Sequence, residues 1–196
     1  MKEFTIVRGL FDNRKRQLIV DENFIKFENN DLKESLYTII KKEDIIGIRY
    51  GIHFIRGFEF YIGREYQIFI RTKFNNEIKI GFKLFYRRKV EEKHQLFYDI
   101  VNELWNYYFN DILQEYLDKL VAGETFYLSG IKIEKNKIII DNREILFENV
   151  DITNYHHHFI VFSKTDQYHN RMLYYLQDKD APLLSQLLKI IKAQNE

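Results

Sequence analysis

Three imidazoles in a row, in Tyr155-His156-His157-His158-Phe159, are the densest group in the chain with metal-ligating chemistry. On an extended strand successive side chains alternate, so His156 and His158 would share one face and His157 the other. Two imidazoles at that spacing suit zinc or another divalent ion, with Asp151 or His169 as further ligands. Without a third ligand, the same pair is a solvated or cross-strand aromatic feature. A second cluster is cationic. Arg87-Arg88-Lys89 stands where a long helical pattern begins. Cations there oppose the helix dipole by about 0.3–1 kcal/mol each, which Glu91 and Glu92 would offset. A bound phosphate or an acidic partner would justify the triplet.

Signatures of catalysis are missing. The chain has four Ser, none in a nucleophile elbow, and no Cys for thiol chemistry, disulfides or Cys-ligated zinc. Gly47, Gly51, Gly57 and Gly63 do not form a phosphate-cradling loop ahead of a helix. No pair of the 29 acidic residues stands out as an acid–base couple. The expectation is a protein that is not an enzyme and needs no cofactor.

These groups must be positioned by a chain of 196 residues, 45% hydrophobic and 30% charged, with 17 Phe and 14 Tyr. That composition supplies ample core material for one large domain or two small ones. A net charge of +1 predicts no general attraction to nucleic acid. Aromatics interleaved with Arg between Arg49 and Arg71 could stack bases, but strand alternation accounts for them as core plus wet face. Residues 1–100 carry 20 basic and 15 acidic side chains, and residues 101–196 carry 10 and 14. Opposite signs let the halves attract, or copies pair head to tail as an oligomer, within a screening length of about 8–10 Å. The N-terminus has no apolar run of signal-peptide length, and no window reaches about 18 uncharged apolar residues. A soluble cytoplasmic protein with no transmembrane segment is the expectation.

Residues 4–83 read almost throughout as short strands. Leu18-Ile19-Val20 and Phe24-Ile25-Lys26-Phe27 flank a polar turn. Ser35–Lys41 and Ile45–Ile55 follow, then Phe58–Ile62 and Tyr66–Arg71 separated by a Gly63-Arg64-Glu65 turn. Asn75-Asn76 leads into Glu77–Phe82. From Leu96 to Val121 apolar residues recur every four positions on two adjacent tracks, the mark of an amphipathic helix. A step of four residues advances the stripe by about 40°, so six steps rotate it about 240°, too much for one flat face. Asn110-Asp111, with Gln114 behind them, read as a helix restart with a capping box. Further strands are expected at Thr125–Leu128, Ile131–Lys135, Lys137–Ile140, Glu144–Phe147, His157–Ser163 and Met172–Gln177. Asp180-Ala181-Pro182 opens a closing helix, since Pro is tolerated in a first turn.

The order strands–helix–strands–helix reads as an unequal internal duplication, residues 1–109 and 110–196. Lys42-Glu43-Asp44-Ile45 is similar to Phe147-Glu148-Asn149-Val150, each between two strands.

Residues 120–192 resemble bacterial PH-like domains of unknown function. The resemblance lies in Gly123-Glu124-Thr125-Phe126, Ile131-Lys132-Ile133, the turn Lys135-Asn136-Lys137, Leu146-Phe147-Glu148-Asn149-Val150 and Pro182-Leu183-Leu184. Ser129, Lys137 and Phe147 depart from the pattern, which more often has Gly, Gly and Trp there. Residues 14–109 resemble the same fold more faintly. The resemblance implies a mainly β protein with helices (α+β): two PH-like antiparallel seven-stranded barrels or sandwiches, each capped by a C-terminal helix. It implies no enzyme activity. In PH domains that bind phosphoinositides, cations of the first hairpin hold the head group. Arg14, Lys15 and Arg16, read here as lying just before a strand, are the candidates for that role. The expected function is non-catalytic binding or scaffolding of a protein or peptide partner. The alternatives are a peripheral module for anionic lipid and, third, a small-ligand carrier or enzyme.

Overall fold

The computed structural model describes residues 1–9, 12–28, 36–74, 76–85 and 89–195. The chain is mainly β with helices and divides into two units. One comprises Met1–Ile46 and Tyr50–Asn110, the other Gly47–Arg49 and Asp111–Glu196.

In the first unit β1 (Lys2–Gly9), β2 (Asp12–Val20), β3 (Phe24–Glu28) and β4 (Tyr37–Lys41) form an antiparallel sheet in chain order. A 3-10 turn at Lys42–Asp44 leads to β5 (Ile45–Arg56), β6 (Tyr61–Thr72) and β7 (Glu77–Phe85), a second sheet of three. Alternation sets the inner faces: Ile25 and Phe27 on β3, Tyr66, Ile68 and Ile70 on β6, Ile80 and Phe82 on β7 are all buried. At the β2–β3 turn the Asp21 carboxylate accepts the Asn23 amide, a local bond that favours the bend. Tyr108 reinforces it, donating its hydroxyl to the carbonyl oxygens of Asp21 and Phe24, the latter at 2.8 Å.

In the second unit β8 (Phe126–Leu128), β9 (Ile131–Glu134), β10 (Lys137–Ile140) and β11 (Arg143–Leu146) again pair in chain order. A 3-10 turn at Phe147–Asn149 precedes β12 (Val150–Asn154), β13 (His158–Ser163) and β14 (Asn170–Tyr174), another sheet of three. Asp141 and Asn142 both take positive φ, the conformation a two-residue hairpin demands and their residue types tolerate. The strand β12 escapes the sequence reading, although Val150-Asp151-Ile152-Thr153 does alternate.

The two 3-10 turns sit in matching hydrogen bonds. Lys42 donates its amide to the Asn23 carbonyl at 2.8 Å, and Phe147 donates to Asn136 at 3.0 Å; both acceptors lie in a hairpin turn of their own four-stranded sheet. Lys73 donates to Asp44 at 2.9 Å, and Lys164 to Asn149 at 2.7 Å. Of the barrels or sandwiches expected, a closed barrel does not form among the described residues. At each 3-10 turn the chain leaves one ladder and enters another, so the seven strands of each unit form two sheets, and none of the four sheets among the described residues is closed.

Two further expectations change. The Gly63-Arg64-Glu65 turn is continuous strand inside β6, and the bend lies earlier, at Phe58–Phe60. Gly63 pairs with Phe85, and a Cβ there would stand 2.6 Å from the Leu84 carbonyl oxygen, so the glycine answers a close approach of backbones. The helix does not restart at Asn110. Segment α1 (Val90–Leu104), a π-helical stretch Trp105–Phe109 and α2 (Asn110–Val121) abut, and Asn110 has helical dihedrals, φ −64° and ψ −38°. Gln114 donates to Asp118 in place of the expected capping box. An extra residue per turn in the π stretch takes back about 100° of the drifting stripe. The unit boundary falls beside it, between Asn110 and Asp111.

The closing helix α3 (Ala181–Gln194) starts with Pro182 in its first turn and buries Leu183, Leu184, Leu187, Leu188 and Ile191. Its one buried hydroxyl, Ser185, donates to the Asn154 side-chain oxygen at 3.0 Å, which also accepts from Tyr175 at 2.7 Å. The strand expected to reach Gln177 ends at Tyr174, whose amide turns to the Asp178 carboxylate at 2.7 Å. The N-cap Asp180 uses its carboxylate elsewhere in the unit, accepting the Ile48 amide at 3.0 Å.

Candidate functional site

The strand alternation expected across the histidine cluster does not hold. His156 and His157 lie in the bend between β12 and β13, where strand alternation does not apply, and His158 opens β13. The His158 ring stacks on Tyr155 at 4.7 Å and lies 5.4 Å from Tyr174. Asp151 is held by Lys192 at 2.6 Å, and buried His169 contacts the Ile140 carbonyl through Nε2 at 3.2 Å. No group of three His, Cys, Asp or Glu with ligating geometry occurs among the described residues.

The first cationic triplet lies inside β2, not before it, so its members alternate between faces. Arg16 shares the core-facing row with Leu18 and Val20 and is buried, with Nη1 donating to the Arg14 carbonyl at 3.4 Å. Arg14 is ion-paired with Glu28, and Lys15 projects from the opposite face. The three do not converge. Arg87 and Arg88 lie outside the described residues. Lys89 takes a left-handed conformation ahead of α1 and pairs with Glu92 at 3.0 Å.

Two surfaces that the motif reading passed over do bring side chains together. One is the outer face of β12–β13–β14. The inner row of β13, Phe159, Val161 and Ser163, is buried. The outer row, His158, Ile160 and Phe162, faces away from the core and is also largely apolar. Register sets Ile160 between Thr153 and Met172, and Phe162 beside Asn170. Met172, Tyr174 and Tyr155 are exposed around them. A shallow groove of about 290 Å³ lies there, walled by Thr153, Tyr155, Ile160, Phe162, Gln167 and Asn170. A sheet with one solvated face ordinarily reads polar on that face. The signal was visible in the sequence: Phe159-Ile160-Val161-Phe162 does not alternate.

The other surface belongs to the first unit. On β6 the core-facing row is Ile62, Arg64, Tyr66, Ile68 and Ile70, one cation in an apolar series. Arg64 Nη1 lies 2.7 Å from Nε2 of His94 on α1, and its guanidinium carbon sits 5.4 Å from the Phe54 ring centroid. Tyr66 meets the His94 ring edge-on at 5.3 Å. Burial, and then the charge of Arg64, push the His94 pKa down. A groove of about 390 Å³ opens beside Arg64, walled by Phe54, Phe60, Tyr61, Ile62 and Leu84. Arg64 joins this group only because Gly63-Arg64-Glu65 is strand and not the turn its glycine suggests.

Compared with protein-family models, with curated proteins and with solved structures, the chain matches none. Among the described residues no helix is long and apolar enough to cross a membrane.

Proposed function

We propose that this is a non-catalytic binding or scaffolding protein, built from two PH-like units, that engages protein or peptide partners. The observation that carries the reading is the apolar outer face of β12–β13–β14, where Ile160 and Phe162 sit amid exposed Met172, Tyr174 and Tyr155. Aromatic and Met side chains on a sheet face, with Thr153, Gln167 and Asn170 around them, suit the centre and rim of a protein contact. The PH-like part of the reading is supported by the order that recurs in both units, four strands, a 3-10 turn and three strands followed by a helix. Anionic lipid is less well supported as the partner, since Arg14 is paired, Arg16 is buried and Lys15 points the other way.

The test is selection of a displayed random-peptide library on the full chain, followed by binding to Phe162→Asp. Phe162 is only partly buried, so the variant is expected to keep its fold. Enriched peptides that lose at least tenfold in affinity for Phe162→Asp support the reading. No enrichment, together with pelleting on vesicles only when phosphatidylserine is present, would replace it with the lipid-binding alternative.

A further inference from the structure

We propose that the groove beside Arg64 binds the C-terminal carboxylate of a peptide whose last residue is large and apolar. This rests on the peptide-binding reading but on a different surface, in the first unit. Arg64 is half-buried on the core-facing row of β6, where partial loss of water makes an uncompensated charge unfavourable. Among the described residues Arg64 has no carboxylate partner; it contacts the His94 nitrogen and the Phe54 ring and lies beside the Tyr66 hydroxyl, all three uncharged. A guanidinium carries donors only, so the 2.7 Å contact requires a lone pair on His94 Nε2 and hence a neutral ring. His94 therefore orients the fork without neutralising it.

What stands open before the guanidinium is apolar: Phe54, Ile62 and Leu84 along the groove, with Phe60 and Tyr61 at its mouth. Arg64 is the charged residue among the described lining residues. One fixed cation in the wall of an apolar slot is complementary to one anion at the end of an apolar chain. A carboxylate can take two parallel N–H bonds from an arginine fork, which a lone amide oxygen cannot. The volume, about 390 Å³, is at the small end of ligand sites and admits a chain end rather than a long segment. Capture of a C-terminal carboxylate is an established mode of peptide recognition. The preceding residues of the peptide would run out past Phe60 and Tyr61, which are exposed.

The experiment is fluorescence anisotropy on the full chain with fluorescein-labelled Gly-Ser-Gly-Leu-Phe, as the free acid and as the C-terminal amide. The free acid is expected to bind at least tenfold more tightly than the amide. Arg64→Gln is expected to abolish the difference, and Arg64→Lys to leave part of it. Tyr61→Ser changes an exposed side chain at the mouth and is expected to weaken both peptides with the thermal melt unchanged. The acid-to-amide comparison needs no variant, so it stands even where an Arg64 change disturbs folding. Equal binding of acid and amide, or no binding of either up to millimolar peptide, overturns the proposal. So does saturation by sodium decanoate that the free-acid peptide fails to compete, because the ligand is then a free alkyl acid. Phe162→Asp is expected to leave this binding intact, which separates its failure from failure of the outer-face reading.

Discussion

Arg64 Nη1 and His94 Nε2 lie 2.7 Å apart, joining the core-facing row of β6 to the first turns of α1. The contact fixes the protonation of His94, because only the neutral ring accepts from a guanidinium.

That neutrality gives a pH dependence. The pKa of His94 is lowered from 6.5 by burial and then by Arg64, so the unfolded chain binds the proton more readily than the folded one. The stabilising contribution is complete above pH 6.5 and is lost as pH falls from there through the lower folded value. His157 is shifted the same way by burial and by His156 and His158. The melting temperature is expected to fall on acidification from about pH 7 to about pH 5. His94→Gln is expected to flatten that slope, and adding His157→Gln to flatten it further. An unchanged slope in His94→Gln contradicts the neutral assignment.

Tyr108 is buried, and its hydroxyl serves the carbonyls of Asp21 and Phe24 at the β2–β3 turn. Burial holds its pKa well above the ordinary tyrosine range, so it stays a donor throughout the working pH range. Tyr108→Phe keeps the ring and removes the donor. The expected cost is about 1–2 kcal/mol in urea denaturation, with the hydrogen-exchange protection of the turn falling before that of the core.

Asn110 distinguishes a continuous helix from a restarted one by the sign of a single change. As an N-cap it would cost about 1 kcal/mol to replace with Ala. With helical dihedrals on both sides and an exposed side chain, Asn110→Ala is expected instead to stabilise by up to about 0.7 kcal/mol. The urea midpoint reads the sign directly.

Asp180 combines a left-handed conformation, φ 61°, with a buried carboxylate that accepts the Ile48 amide. Asp180→Ala strands that amide and forces an unsuited residue into the left-handed region, for an expected loss of about 1–3 kcal/mol. Asp180→Asn keeps both the acceptor oxygen and the tolerance of positive φ, and is expected to lose far less. Equal losses in the two variants would show that the negative charge, not the acceptor, matters.

The strands and helices were largely legible in the chain because their signals are local. Period-two alternation marked β3 and β7, four-residue spacing marked the long helix, and Asp180-Ala181-Pro182 marked the start of α3. The likeness of Lys42-Glu43-Asp44 to Phe147-Glu148-Asn149 was visible as well, and both are 3-10 turns in matching hydrogen bonds. What the sequence could not determine was convergence. Gly63 looks like a turn residue until the backbone of Leu84 is found against it. Arg14-Lys15-Arg16 looks like one cationic patch until β2 sends its members to opposite faces. His156 and His158 look like one face until a bend separates them. Conversely, Arg64 and His94, 30 positions apart, meet only because β6 and α1 pack together. Periodicity depends on neighbours within a few residues. A site depends on register and on where turns fall, and tertiary contacts between residues distant in the chain decide both.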